Sequence, residues 1–214
     1  PPNPVGPALT WDLYIHPTFT EFQKIQIQDA CMRWSEVVRE DRTIVLVVAY
    51  IDEDRWGTGG VLASAIPVEF DDDRFLTTHA LVRVDPTDIG DDSVLQLDTW
   101  AVGNKTMFYY TMLHELGHAL GIGSLWNYPA SFSSRDLVYN GNTGELITGR
   151  VEDYSVLNPV YKGEYGLAAY NQVLGLSGVH KLEALPIEDG GGPGRAGGHP
   201  EEGDNTRFIG SVAL

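Results

Sequence analysis

A single cysteine, Cys31, in 214 residues excludes any internal disulfide. Stability must then come from packing or from a bound metal. Cys31 sits beside Met32 and Trp34 in a helical pattern, the setting of a buried, inert thiol. Positive charge is also scarce. Lys24, Lys105, Lys162 and Lys181 are the only lysines, and 14 Lys plus Arg face 30 Asp plus Glu, for a net charge of −16. No block of cations is present, which argues against general nucleic-acid binding. No apolar run approaches the roughly 18 residues of a membrane span. Pro1-Pro2-Asn3-Pro4 has neither the basic nor the apolar region of a signal peptide. The chain is then either cytosolic or the mature form of a secreted protein, without signal or pro-segment, and the secreted form is the expectation. What is present is 43% hydrophobic and 10% aromatic, enough to build one domain with a core.

Periodicity divides the chain. Residues 18–38 read as a helix, with Phe22, Ile25, Cys31, Trp34 and Val38 at near-helical spacing and Thr18 or Thr20 as cap. Residues 43–51 (TIVLVVAYI) are β-branched and apolar, as in a central strand covered on both faces. Two further strands are expected, at 61–66, stopped by Pro67, and at 79–84, with acidic loops at 70–73 and 85–92. A second strong helix spans about 104–120, with Asn104 as N-cap and Gly121 as stop. Residues 123–160 are rich in Gly, Asn, Ser and Tyr and read as loops and turns, and 163–174 as a third helix. The fold class is α+β: a single domain over 1–214, with an N-terminal lobe of about 1–122 and a loop-rich C-terminal lobe of about 123–214.

The second helix carries His114-Glu115-Leu116-Gly117-His118. Histidines four apart share one helix face, so both imidazoles can reach a single ion, and Glu115 can be aimed at a water on that ion. Zinc takes neutral imidazoles and keeps a position open for water, whose pKa falls near 7. A neighbouring carboxylate can take its proton as the water attacks a carbonyl. Gly121, three residues after His118, permits a sharp turn beneath the metal. In the common pattern of this kind the third ligand falls at position 124, but Ser124 is a poor zinc ligand, so it must come from farther on. His16 reads as a surface residue, His79 as the start of a strand and His180 as a helix C-terminal cap. His199 follows six glycines within residues 190–198, which let the backbone wind close to the active helix. Glu145, Glu152 and Glu164 are alternative ligands. No Gly-Lys-Ser/Thr follows the glycines, so they do not form a phosphate-binding loop.

The segment from His114 to Trp126 (HELGHALGIGSLW) resembles the active-site region of leishmanolysin-like zinc endopeptidases, within the metzincin group. Residues 161–170 (YKGEYGLAAY) and 185–199 (LPIEDGGGPGRAGGH) are also similar to bacterial members, and Trp34 and residues 59–63 more loosely so. The resemblance implies that His114, His118 and His199 bind one zinc ion and that Glu115 is the general base for peptide-bond hydrolysis. It further implies a two-lobe fold: a twisted mixed sheet with helices above, a loop-rich lobe with a further helix below, and the metal between them. A protein or peptide substrate would lie along an edge strand, for which residues 79–84 or 94–97 are candidates.

The chain departs from that pattern in three respects: eukaryotic leishmanolysins are disulfide-rich whereas this chain cannot be, which favours a bacterial-type relative; no pro-segment is present; and the downstream methionine is missing. Metzincins place a Met in a turn after the third His, whereas Met32, Met107 and Met112 all precede His199. Phe208 or Ile209 is expected in that space, unless the chain is truncated. Two other readings compete: a non-catalytic zinc-containing module that binds peptide, and a gluzincin-type peptidase with a Glu ligand. The aspartates 71–73, 85, 88, 91 and 92 read as a solvated acidic surface, with Ca²⁺ as the alternative. Asn104-Lys105-Thr106 formally matches a glycosylation acceptor, but its place at a helix start makes capping the better account.

Overall fold

Residues Thr10–Ile15 (TWDLYI) alternate between more exposed and more buried positions, and they form the first strand, β1. The patterning above had not singled them out, because the Pro-rich start obscures a six-residue alternation. The structure, a computed structural model, describes residues 6–50, 61–71, 76–86, 106–126, 137–148, 151, 153–173, 175–190 and 197–200. These residues fall into two compact units, one within Pro1–Gly121 and one within Ile122–Ser211.

In the first unit the order is β1, helix α1 (Glu21–Val37), β2 (Thr43–Tyr50), β3 (Ala63–Asp71), β4 (Leu76–Val84) and helix α2 (Met107–Ala119). The sheet runs β1-β2-β4-β3. β1, β2 and β4 are mutually parallel, while β3 pairs antiparallel to β4. The sheet is therefore mixed, as expected for an α+β chain.

Thr20, not Thr18, caps α1 through a full capping box: its hydroxyl accepts from the Gln23 amide, and Gln23 Oε1 accepts from the Thr20 amide. The buried face is Gln23, Gln26, Ile27, Ala30, Cys31 and Trp34, whereas Phe22 and Ile25 are exposed. That corrects the phase read from the apolar residues. Two buried glutamines belong to the inner stripe, and Gln23 earns its place by capping and by accepting from Tyr50 Oη at 3.0 Å.

β2 is central, but it is not covered alike on both faces. Ile44, Leu46 and Val48 are fully buried, while Val47 on the other face is 40% exposed. β3 does not stop at Pro67. It continues to Asp71 through a register irregularity between Pro67 and Glu69, so Phe70 and Asp71 belong to a strand rather than to an acidic loop. A proline is tolerated there because on an edge strand its missing N–H can face away from the ladder. The candidate edge at 79–84 is corrected as well: β4 lies inside the sheet between β2 and β3, and among the described residues β1 and β3 are its edges. The other candidate edge, 94–97, lies outside the described residues.

In the second unit, β5 (Val138–Asn140), β6 (Pro159–Tyr161) and β7 (Leu185–Pro186) form a three-stranded antiparallel sheet in the order β5-β6-β7. Residues 123–160 thus hold more than loops and turns. Val138, Ile147 and Ile187 make a small core, with Trp126, Leu137, Val151, Leu157 and Tyr161 packed on it. The expected third helix is α3 (Glu164–Val173). Its Asn171 accepts from the Leu182 amide at 2.7 Å and donates to the Leu182 carbonyl at 3.0 Å, pinning the chain that leads to β7. No helix among the described residues is long and apolar enough to cross a membrane.

Candidate metal centre

Helix α2 starts at Thr106, whose hydroxyl accepts from the Tyr109 amide and donates to Gln26 Oε1 at 3.0 Å. Thr106 is the N-cap in place of the expected Asn104, which lies outside the described residues. Phe108, Met112, Leu116 and Ala119 recur every three or four residues and are fully buried, so this stripe sets the rotation of the helix. Trp34 on α1 adds a fixed point, since its indole Nε1 donates to the Leu113 carbonyl at 2.9 Å in a buried contact. The residue preceding the first histidine of the motif is thereby tied to the neighbouring helix.

With that rotation set, His114 and His118 stand side by side and half-buried. Their Nε2 atoms are 3.0 Å apart, and the rings meet edge to face at 88° with centroids 4.5 Å apart. Two ligands on a tetrahedral zinc with bonds near 2.05 Å stand ~3.4 Å apart. The pair is therefore already close to the spacing that a shared ion requires. The helix ends at Leu120, and Gly121 follows at φ 103°, a conformation that favours glycine.

Glu115 is directed differently. It is 6% exposed, lies against β3 and accepts a hydrogen bond from the Ala65 amide. Its Oε2 is buried with no hydrogen-bond partner among the described residues. Burial pushes its pKa from 4.5 up to about 8, outweighing the Ala65 amide, which pulls the other way. An unpartnered buried carboxylate oxygen is costly unless a ligand or reactant completes it.

In the second unit, His199 lies beside Glu188, with Nδ1 3.6 Å from Oε2. The Glu188 amide donates to the His199 carbonyl at 2.9 Å, and the Gly197 amide donates to the Glu188 carbonyl at 2.8 Å. Gly123, at φ 75°, packs so closely on the Gly198 backbone that a Cβ there would collide with the Gly198 carbonyl.

One nitrogen from each of His114, His118 and His199 lies within 4.8 Å of the other two, close enough for the three to bind a metal ion. Three imidazoles are a donor set that zinc takes. Among the described residues no other three His, Cys, Asp or Glu side chains group in this way. Glu145 is exposed in a turn and accepts from the Thr143 hydroxyl, Glu164 is exposed at the start of α3, and Glu152 lies outside the described residues.

The remaining histidines have other surroundings. His16 shares a hydrogen bond with the Thr18 hydroxyl at 2.7 Å, His79 pairs with Glu69 at 3.0 Å on the surface, and His180 ends an exposed 3₁₀ turn. Asp71 ends β3 and Asp85 is buried, but the other aspartates proposed for Ca²⁺ lie outside the described residues, as do Phe208 and Ile209.

Sequence reading missed Trp34 as a support of α2, the Ala65 amide as a partner of Glu115, and Glu188 altogether. Only Glu188 left a trace: it stands eleven residues before His199 across a glycine-dense connection, the spacing of a chain that doubles back. Comparison with protein-family models, curated proteins and solved structures finds no match to this chain.

Proposed function

We propose that this chain is a zinc-dependent endopeptidase of metzincin type, resembling the leishmanolysin-like enzymes, that hydrolyses peptide bonds in proteins. His114, His118 and His199 hold the ion and Glu115 is the general base. The observation that carries the reading is a buried carboxylate with an unpartnered oxygen, next in sequence to an imidazole whose Nε2 stands 3.0 Å from that of a second. A structural histidine pair has no use for such a carboxylate, and its cost is accounted for by a reaction that needs it.

Zinc held by the three imidazoles would supply a Lewis acid for a carbonyl oxygen and would bring the pKa of water down to about 7. Glu115 takes the proton of the attacking water and hands it to the leaving amine. Its raised proton affinity suits that task, because a base matched to neutral pH both accepts and returns a proton readily. The Ala65 amide holds one carboxylate oxygen and leaves Oε2 for the reaction. The metzincin-like two-lobe fold and a secreted location belong to the same proposal, the latter in keeping with the acidic, lysine-poor composition.

The test is Glu115→Gln in zinc-loaded protein, assayed on a denatured protein substrate with and without chelator. The variant should keep one zinc per chain and lose about 10²- to 10⁴-fold in cleavage. Cleavage at the parent rate would overturn the mechanism. A parent protein that binds one zinc and cuts nothing would replace it with the peptide-binding module.

A further inference from the structure

We infer that Glu188 is the positioning residue of His199: its carboxylate faces Nδ1 and so presents Nε2 as the metal donor. The inference rests on the three-histidine site proposed above and adds a residue that the site does not itself contain. Three observations carry it. First, Nδ1 of His199 and Oε2 of Glu188 are 3.6 Å apart, and the side chains are only 14% and 10% exposed. That distance exceeds a hydrogen bond but leaves no room for an intervening water, and a small side-chain rotation closes it.

Second, the neighbourhood is set by the backbone. Glu188 donates to the His199 carbonyl and accepts from the Gly197 amide, while Ile187 and Pro200 form a bridge immediately beyond. Residue 188 is thus clasped between 197 and 199, and Ile187 is anchored in the small core and to the Pro159 carbonyl at 2.9 Å. Third, the two side chains have matching chemistry. A neutral imidazole has one N–H and one lone pair, and an acceptor at Nδ1 places the proton there and the lone pair on Nε2. A carboxylate in that position fixes the ring's orientation and makes the opposite nitrogen a stronger donor. His114 and His118 are oriented by a packed helix, whereas His199 follows directly on the turn at Gly197 and Gly198, outside any helix. It is the one that needs such a partner.

The experiment compares Glu188→Gln, Glu188→Leu and His199→Ala in the full chain. Zinc affinity is measured by competition with a chromophoric chelator, and the visible spectrum is recorded with cobalt(II) in place of zinc. Circular dichroism in excess chelator establishes that each variant folds. Glu188→Leu should bind zinc about 10- to 100-fold more weakly and alter the cobalt band. Glu188→Gln retains an acceptor and should recover most of that loss, which also keeps the test sound if the leucine variant fails to fold. In a His199→Ala background, Glu188→Leu should cost nothing further, because its effect passes through His199.

Parent-like affinity and spectrum in both Glu188 variants, with His199→Ala impaired, would overturn the positioning role and leave the three-histidine site standing. An equal loss from Glu188→Leu with and without His199 would also overturn it, since the residue would then be a general structural support. Unchanged affinity in His199→Ala would instead overturn the underlying site.

Discussion

Replacing Glu115 with glutamine should make the metal-free protein more stable while disabling it, and the gain should depend on pH in a defined way. In the folded state burial holds the carboxyl protonated up to about pH 8, against 4.5 for the ordinary group. Between those values the unfolded chain has released a proton that the native one still binds, so stability falls as pH rises and levels off above the folded pKa. Each unit of difference is worth about 1.4 kcal/mol, so the full penalty is on the order of 5 kcal/mol above pH 8 and about 3 kcal/mol at pH 7. Glutamine is an isostere of the protonated acid and never ionises. At pH 5 the two proteins should therefore lie within about 1 kcal/mol of each other, with the gap opening as the pH rises. Urea unfolding in excess chelator at pH 5, 7 and 8.5 measures this directly, because every other titrating group is common to both proteins and drops out of the difference. Parallel stability profiles, or a variant no more stable than the parent at pH 8.5, would refute the claim that Glu115 is held buried against its own ionisation.

Three further outcomes are expected. Trp34→Phe keeps most of the ring but loses the indole bond to the Leu113 carbonyl, and should cost ~1 kcal/mol in urea unfolding; an unchanged midpoint would show that this bond contributes nothing to holding α2. Cys31 is 2% exposed, with its thiol pushed up to about 12 by burial. It should resist iodoacetamide in the native protein and react once unfolded, and native labelling at the unfolded rate would contradict the packing of α1. Gly123→Ala meets both a left-handed backbone and the Gly198 carbonyl. It should destabilise by more than about 1 kcal/mol and weaken zinc retention, and a variant matching the parent in melting and metal content would dismiss the close approach.

How much of this could be read from residues alone depended on how local the cause was. The His114-Glu115-x-x-His118 spacing is a helical fact contained within five residues, and the helix around it announces itself through Phe108, Met112 and Leu116. The cap was misplaced by two residues because Asn104 and Thr106 are both good caps, and only the partner at Gln26, eighty positions away, favours Thr106. The phase of α1 was misread for a similar reason: Gln23 and Gln26 look like surface residues until Tyr50 and Thr106 supply their partners. The interior position of β4 and the edge position of β3 are matters of strand order, which alternation along one strand does not encode. Glu188 escaped notice because its relation to His199 is made by a backbone clasp, and clasps of that kind leave only a spacing behind.

Pro67 has a consequence for the behaviour of the protein in concentrated solution. Among the described residues β3 is an edge strand of its sheet, and Ile66 and Val68 on either side of the proline are 44% and 53% exposed. A regular apolar edge of this kind is a template for pairing with another copy of the same chain, the first step towards aggregation. The missing N–H at Pro67 and the broken register up to Glu69 interrupt that template at its middle. The residue that looked like a strand terminator is better understood as a guard, one that lets the strand run to Asp71 without offering a second molecule a continuous ladder to join.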